Sequence, residues 1–402
     1  MADNKSRATL SRRQFLARAA AAAATTLTVV NPRSVRGAPA NSRLELGIIG
    51  CGGRGKWIGK LFEQNSNTKV VALADYFEDR LAAAREVLNV PAGRCYAGLK
   101  GYLKLLESKV DAVAIESPPY FHPEQAQAAV DAGKHVYLAK PVAVDVPGCR
   151  IILESAKKAR GKLSFLVDFQ TRNNEFFREA ARRVHQGAIG KPVFGQVYYV
   201  TGRLRKKAEP GTPEARLRNW VFYIDLSGDI IVEQNIHVID VATWLLDAAP
   251  LRACGTGGRK ARTDVGDCWD HFVVTYWFPN DVIVDFCSGQ FIKGYHDMCV
   301  RIYGSEGTVD THYGGEVRIE GPNPWKGGRT DRIYTEGAVN NIKDFWASIN
   351  SGKFLNNAEE SVRSNLASIL GRIAAYRGRV VTWEEMLNEN EKLEADLSGL
   401  KA

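Results

Sequence analysis

Apolar residues in the first third of the chain come in short, regularly spaced blocks. Leu44-Glu45-Leu46-Gly47-Ile48-Ile49 is rich in β-branched and other apolar residues, and glycines follow at once. That pattern predicts a buried strand. Thr68–Ala74 (just before Asp75), Asp111–Glu116, His135–Leu138 and Leu163–Val167 repeat it. Between these blocks, Lys56–Gln64, Arg80–Val90, Pro123–Ala132 and Pro147–Ala159 place apolar residues at helical spacing. Strand and helix alternate for about 125 residues, which predicts right-handed crossovers and a mainly parallel sheet.

The rhythm then changes. Val193–Val200, Asp270–Phe278, Val282–Gln290, Met298–Tyr303 and Val317–Glu320 read as strands with few helices between them, and Pro279-Asn280-Asp281 joins two of them as a hairpin. The expectation is an α/β domain followed by an α+β domain with a large, mostly antiparallel open sheet. Helices at Asn235–Leu246, Asn340–Ile349 and Glu359–Tyr376 are expected to cover one face of that sheet. Its other face is then left to pair subunits in a homo-oligomer. The expected boundaries are a leader over 1–40, a nucleotide-binding domain over 41–167 and a substrate domain over 168–402.

A chain of 402 residues accommodates two such domains, and 45% hydrophobic with 25% charged residues is the make-up of a soluble globular protein. The net charge of +9 is unevenly placed: residues 1–40 carry seven basic residues against Asp3 alone, which leaves +3 for the rest. A body so nearly balanced has no basic stripe for nucleic acid, and none is expected as a partner. Ser11-Arg12-Arg13-Gln14-Phe15-Leu16, the weakly apolar Ala17–Val30 and the small residues Ala38-Pro39-Ala40 form the pattern of a twin-arginine export signal, a route that carries folded proteins. The expected location is therefore periplasmic or otherwise exported, with no membrane-spanning segment in the mature chain. Seven scattered cysteines without a CxxC pair predict neither a disulfide framework nor a zinc site, so no metal is expected. His296 and His312 read as surface residues.

Gly50-Cys51-Gly52-Gly53-Arg54-Gly55 fits G-x-G-x-x-G, directly after a predicted strand and at the opening of a helix. In that context the glycines permit a tight turn and close backbone approach, and the helix N-terminus meets a pyrophosphate. Asp75 follows Gly55 by 20 residues, at the end of the next strand, where a carboxylate holds ribose hydroxyls. Asp75 would repel a 2′-phosphate, so NAD is expected over NADP; Arg54 and Arg80 lie close enough to temper that preference. Gly50, Gly52, Gly53, Arg54, Gly55, Asp75 and Arg80 are the candidate cofactor residues.

Two further segments carry chemistry: Val136-Tyr137-Leu138-Ala139-Lys140-Pro141-Val142-Ala143, and Gly228-Asp229-Ile230-Ile231-Val232-Glu233-Gln234-Asn235-Ile236-His237-Val238-Ile239-Asp240. With the glycine fingerprint and Glu116-Ser117-Pro118-Pro119-Tyr120-Phe121-His122, they resemble the Gfo/Idh/MocA family, named for glucose–fructose oxidoreductase, inositol dehydrogenase and a rhizopine-catabolism protein. The resemblance extends from residue 44 to about 385. It implies that Lys140 lies beside the nicotinamide and bonds the reacting hydroxyl. Ala139 departs from the family's usual glutamate, which implies the loss of a contact near the nicotinamide ribose. Glu233 and His237 match an acid–histidine pair in which aspartate is commoner at the first position, and i, i+4 spacing would place both on one helical face. The resemblance also implies that Ser117, Pro118, His122 and Lys140 reach the cofactor, and that Gln170, Arg172, Trp220, Tyr223 and Asn235 reach the substrate.

Oxidising an alcohol removes a hydride from carbon and a proton from oxygen. On its own, His237 among Ile236, Val238, Ile239 and Val241 reads as a core histidine; within the resemblance it is the base that accepts the proton. Lys140 would stabilise the developing alkoxide, and Glu233 would orient the pair. The expected activity is NAD-dependent oxidation of a sugar, polyol or sugar derivative, with a cofactor held through export and recycled in the site. An NAD-dependent glycosidase, which oxidises, eliminates, adds water and reduces, is the alternative. A silent NAD-binding sensor is a third reading, opposed by the presence of both Lys140 and His237.

Overall fold

The computed structural model describes residues 43–402; the export signal expected over residues 1–40 lies outside the described residues. The first sheet has six strands: β1 (Leu44–Ile49), β2 (Thr68–Asp75), β3 (Cys95–Ala97), β4 (Ala112–Ile115), β5 (His135–Ala139) and β6 (Phe165–Asp168). They are all parallel, in the order β3-β2-β1-β4-β5-β6. The chain runs outward through β1, β2 and β3, then returns beside β1 and runs the other way. That reversal opens a crevice at the carboxyl ends of β1 and β4.

Period-two alternation assigns the two faces. Leu46, Ile48, Ala112, Ala114, Tyr137 and Leu166 pack toward the helices Gly53–Asn65 and Glu78–Leu88. Ile49, Val113, Ile115, Val136 and Leu138 join the core formed with the helices Gly101–Glu107, His122–Asp131 and Val146–Ala159. Covering both faces is what makes the strands read as nearly unbroken apolar runs. Helix starts are set locally: the Asp145 carboxylate accepts from the Gly148 amide at 2.8 Å and caps Val146–Ala159.

The second sheet has nine strands: β7 (Pro192–Thr201), β8 (Arg252–Gly258), β9 (His271–Trp277), β10 (Ile283–Gln290), β11 (Asp297–Gly304), β12 (Thr308–His312), β13 (Glu316–Glu320), β14 (Trp325–Arg329) and β15 (Val381–Thr382). Their order is β14-β13-β12-β11-β7-β10-β9-β8-β15, and every neighbouring pair is antiparallel except β7 with β10. Val197, Phe272, Val274, Phe286, Val300 and Ile302 point into the core, under the helices Ile236–Leu245 and Ala358–Arg377. The opposite face carries exposed Val273 and Ile283, and a stacked Phe194–Tyr303 pair with centroids 4.4 Å apart.

One expectation about the helices is corrected. The segment expected over 340–349 as cover for the second sheet is the helix Ile333–Ser351, and it packs on the first sheet. Its Ala338, Ile342 and Phe345 are buried there, with the Phe345 ring 5.7 Å from Tyr137 and 6.1 Å from Phe62. The chain thus returns to the nucleotide-binding layer long after leaving it. The helix Glu175–His185 is not among the expected elements; its N-terminus is capped by Asn174 Oδ1 accepting from the Phe176 and Phe177 amides. If this returning helix is a structural layer of the first sheet, Phe345→Ala should lower unfolding stability by about 3–5 kcal/mol in urea denaturation. A loss within experimental error would show that the helix is not part of that core.

Candidate active site

At the carboxyl end of β1 the fingerprint makes a cradle that a side chain would fill. Gly50 has φ +94°, and a Cβ there would meet the Glu116 and Ser117 backbone at 2.5 Å. A Cβ on Gly55 would lie 1.9 Å from the Gly50 carbonyl oxygen, so this glycine sets how closely the helix packs on the strand. Gly52 and Gly53 face open space and line the cleft, with the first amides of the helix Gly53–Asn65 beside them. These features fit a pyrophosphate pressed against backbone.

Asp75, at the end of β2, has one carboxylate oxygen accepting from the Cys51 amide (2.6 Å) and the other from the Phe77 amide (2.8 Å). It fastens the fingerprint loop and faces the cleft, and burial raises its pKa. Arg80 lines the same end, 4.7 Å from the Phe77 ring centroid. Arg218, from the second domain, stands over that ring at 3.9 Å and donates to Asp79 at 2.7 Å. Ser117 and Pro118 line the cleft beside Arg54. His122 does not: it is buried behind them, with its ring nitrogens 2.8 Å from the Pro141 and Ser117 carbonyl oxygens. Burial pushes its pKa down to about 4. The neutral ring donates to only one of those carbonyls, and its place is to fix the turns that carry Ser117 and Lys140.

At the other end of the cleft, Lys140 follows β5. Its Nζ donates to the Glu233 backbone oxygen at 2.6 Å and to Glu233 Oε1 at 3.3 Å. Burial pushes the Lys140 pKa down, against the pull of Glu233. Glu233 and His237 were expected on one helix. They lie instead on two short ones, Ile230–Glu233 and Ile236–Leu245, broken at Gln234 and Asn235, yet both line the cleft. His237 is buried, packs against Tyr313 (centroids 5.3 Å) and Phe169 (6.4 Å), and has no partner on Nδ1. Burial, then Lys140 and Arg54, hold its pKa well below the ordinary value, so the ring is neutral, with Nδ1 unpartnered.

Gln170 and Trp220 also line the cleft. Arg172, Tyr223 and Asn235 were expected to reach the substrate and are not among its lining. Arg172 is committed to the buried carboxylate of Asp240, with contacts of 3.0 and 2.8 Å, and lies over Trp244. Tyr223 carries the Arg216 guanidinium on its ring, and Asn235 is buried at the helix break. Conversely Glu116, Tyr199, Tyr313 and Tyr334 line the cleft without having been singled out. Tyr199 is hard to foresee, since an inward tyrosine on a strand looks like core; Tyr313 just follows a strand and Tyr334 opens the helix Ile333–Ser351, and neither carries a local motif. The space they enclose with the fingerprint is a single cleft of about 800 Å³ between the two sheets, of the size that holds an organic ligand.

Away from the cleft, the fold brings Asp297, Cys299 and His312 together with ligand atoms within 4.8 Å, which sequence spacing did not reveal. His312 is half-buried rather than a free surface residue: its nitrogens pair with Asp297 at 3.0 Å and Asp310 at 3.2 Å. The group is satisfied by its own ion pairs. Among the described residues no helix is long and apolar enough to cross a membrane.

With this geometry in place, comparison with known proteins is specific. Residues 44–167 match the model of an oxidoreductase family with an NAD-binding Rossmann fold, and residues 177–310 match a GFO/IDH/MocA C-terminal domain. An inositol 2-dehydrogenase of Rhizobium meliloti (strain 1021) is 27% identical over 326 residues, covering 77% of this chain and 89% of that protein. The fold is shared with an aldose-aldose oxidoreductase from Caulobacter crescentus complexed with glycerol: TM-score 0.69, 19% identity, coverage 85% and 100%. It is shared too with a levoglucosan dehydrogenase in complex with NADH: TM-score 0.70, 18% identity, coverage 85% and 99%.

The placement of Arg172 is open to test. Arg172→Ala leaves the Asp240 carboxylate buried without its cation, which should cost about 3–5 kcal/mol in thermal or chemical unfolding. Dinucleotide affinity, measured by calorimetry, should be unchanged. Unaltered stability with weakened ligand binding would instead return Arg172 to the site.

Proposed function

The chain belongs to the Gfo/Idh/MocA family of NAD-binding oxidoreductases that act on CH–OH groups, and from that premise we propose that it oxidises a ring hydroxyl of a sugar or inositol-like polyol. The observation that carries this reading is the meeting of Lys140, from the end of the first sheet, with Glu233 and His237, from the second domain, in the cleft that begins at the fingerprint. Asp75 at the ribose end favours NAD over NADP. A bound dinucleotide supplies the acceptor for the hydrogen and electron pair of the substrate carbon. The chain's own residues do the rest. Lys140, held by two contacts to Glu233, places a positive charge where the alkoxide develops. Neutral His237 takes the hydroxyl proton on a ring nitrogen. Tyr199, Tyr313 and Gln170 offer hydrogen bonds to the remaining hydroxyls, and Tyr334 stacked on Trp57 (4.8 Å) walls one side.

A retained cofactor, recycled in a redox-neutral cycle, belongs to this proposal. Its support is a separate apolar cluster at the ribose end, in which Phe77 and Phe121 pack with Leu217 and Trp220 of the second domain and with Leu397 and Leu400 of the C-terminal tail. The tail is pinned by the Lys401 amide donating to Tyr76 Oη at 3.2 Å and by the Leu99 amide donating to Lys401 O at 3.3 Å. Export by the twin-arginine route, which carries proteins already folded, is consistent with such a clasp. The open face of the second sheet, with its exposed apolar residues, is the proposed surface for pairing subunits.

Two experiments test this reading. Against a panel of inositols and aldoses, Lys140→Ala and His237→Ala should each slow single-turnover oxidation about 100-fold while leaving NAD binding intact. Acting on one hydroxyl, they should be strongly non-additive in the double variant; full additivity would separate their roles. Release of nitrophenol from nitrophenyl glycosides without added dinucleotide would shift the activity to the glycosidase alternative. Replacing Arg12 and Arg13 by lysines should trap the precursor in the cytoplasm, and normal export of the processed chain would remove the export proposal.

A further inference from the structure

The end of the first sheet holds a charge arrangement that the mechanism above does not use. Register pairs Ala139 with Asp168, and Ile115 with Leu138, so Glu116 stands beside Ala139 one residue further along. Alternation points Glu116, Ala139 and Asp168 toward the same face, that of the fingerprint helix. Ala139 supplies only a methyl group between two carboxylates, and the Arg54 guanidinium bridges them. Its Nε lies 2.8 Å from Glu116 Oε2, and its Nη2 contacts Asp168 Oδ2.

The two acids are not equally provided for. Asp168 also accepts from Asn341 Nδ2 at 2.7 Å and from Gln170 Nε2 at 3.3 Å. The Glu116 side chain is fully buried, and neither of its oxygens receives an aligned hydrogen bond. It nonetheless lines the cleft. The charged and titratable groups facing it are Arg54 from the fingerprint helix, Asp168 from β6, Lys140 after β5, and Tyr137 within β5. With Glu233 included, the closed end holds two cations, Arg54 and Lys140, against three carboxyl groups, so charge balances only when one carboxyl carries a proton.

We propose that Glu116 is a positioning residue that balances charge at the closed end of the cleft: it keeps a proton there until the pyridinium ring of an oxidised nicotinamide dinucleotide enters, and then releases it. This rests on the functional reading above. Burial pushes the Glu116 pKa up to about 7, so the carboxyl is poised to respond to one added positive charge at neutral pH. The response also balances the reaction. When the substrate carbon is oxidised, the hydride discharges the ring and His237 takes the hydroxyl proton; the Glu116 carboxylate, no longer facing that cation, then regains one proton as His237 returns to neutral. In a cycle with a retained cofactor, that proton stays in the protein for the reductive half.

Proton counting tests this without any turnover. The dinucleotide-depleted full chain is titrated at pH 7 with NAD+ and with NADH, in two buffers of different ionisation enthalpy. NAD+ should release about half a proton per site more than NADH, as expected for a group half-ionised near that pH. Glu116→Gln should abolish the difference while retaining NADH binding. An equal release for the two ligands, or a difference that survives in Glu116→Gln, overturns the proposal and leaves the functional reading standing. Binding of neither dinucleotide overturns both. Should the variant fail to fold, infrared difference spectra of the native chain carrying 13C-labelled glutamate decide: a protonated carboxyl band must vanish with NAD+ and persist with NADH, and an unchanged band overturns the proposal.

Discussion

The buried carboxylate of Asp168 ties together the separate pieces of chain that meet at the cleft. It contacts Arg54 of the fingerprint helix, Asn341 of the helix that returns from the C-terminal half, and Gln170 at the entry to the second domain. A carboxylate in that position is costly unless each lone pair is met, so its partners fix one another. The fingerprint helix, the end of β6 and the returning helix share one registration. Arg54 then extends that constraint to Glu116 and the Lys140 neighbourhood. The cleft is defined by this junction as much as by the sheets that wall it.

The first sheet was legible in the sequence because both its faces are covered, which makes β1, β2, β4, β5 and β6 apolar runs bounded by turns. The second sheet was legible only where one face is buried along a whole strand, as in β9 and β10. β8 escaped notice because Gly255, Gly257 and Gly258 remove the apolar alternation, and β14 because Gly327 and Gly328 do the same. The returning helix was found but misplaced, since its spacing reveals an apolar stripe and not the surface that the stripe will meet.

Site residues divide along the same line. Gly50, Gly55, Asp75, Lys140, Glu233 and His237 are readable because local spacing or motif order places them. Arg172 was expected at the substrate and is instead paired with Asp240, a partner 68 residues away that is visible only once the chain has folded. Glu116 sat inside a quoted motif yet drew no role, because a strand-end glutamate ordinarily points to water. What makes it unusual is the alignment of three strand ends beneath one arginine. The missing glutamate at position 139 takes on a physical meaning in that setting: a third acid there would crowd the two carboxyl groups that already flank Arg54.

The proposed cleft grips a dinucleotide at its ribose end and presents the other end to Lys140 and His237. The most direct measurement is to denature the purified protein and quantify what it releases. About one NAD(H) per chain and no NADP(H) is expected, in keeping with a ligand whose dissociation is slow compared with purification. A chain that releases no dinucleotide, and that binds neither NAD+ nor NADH in calorimetry, would contradict it.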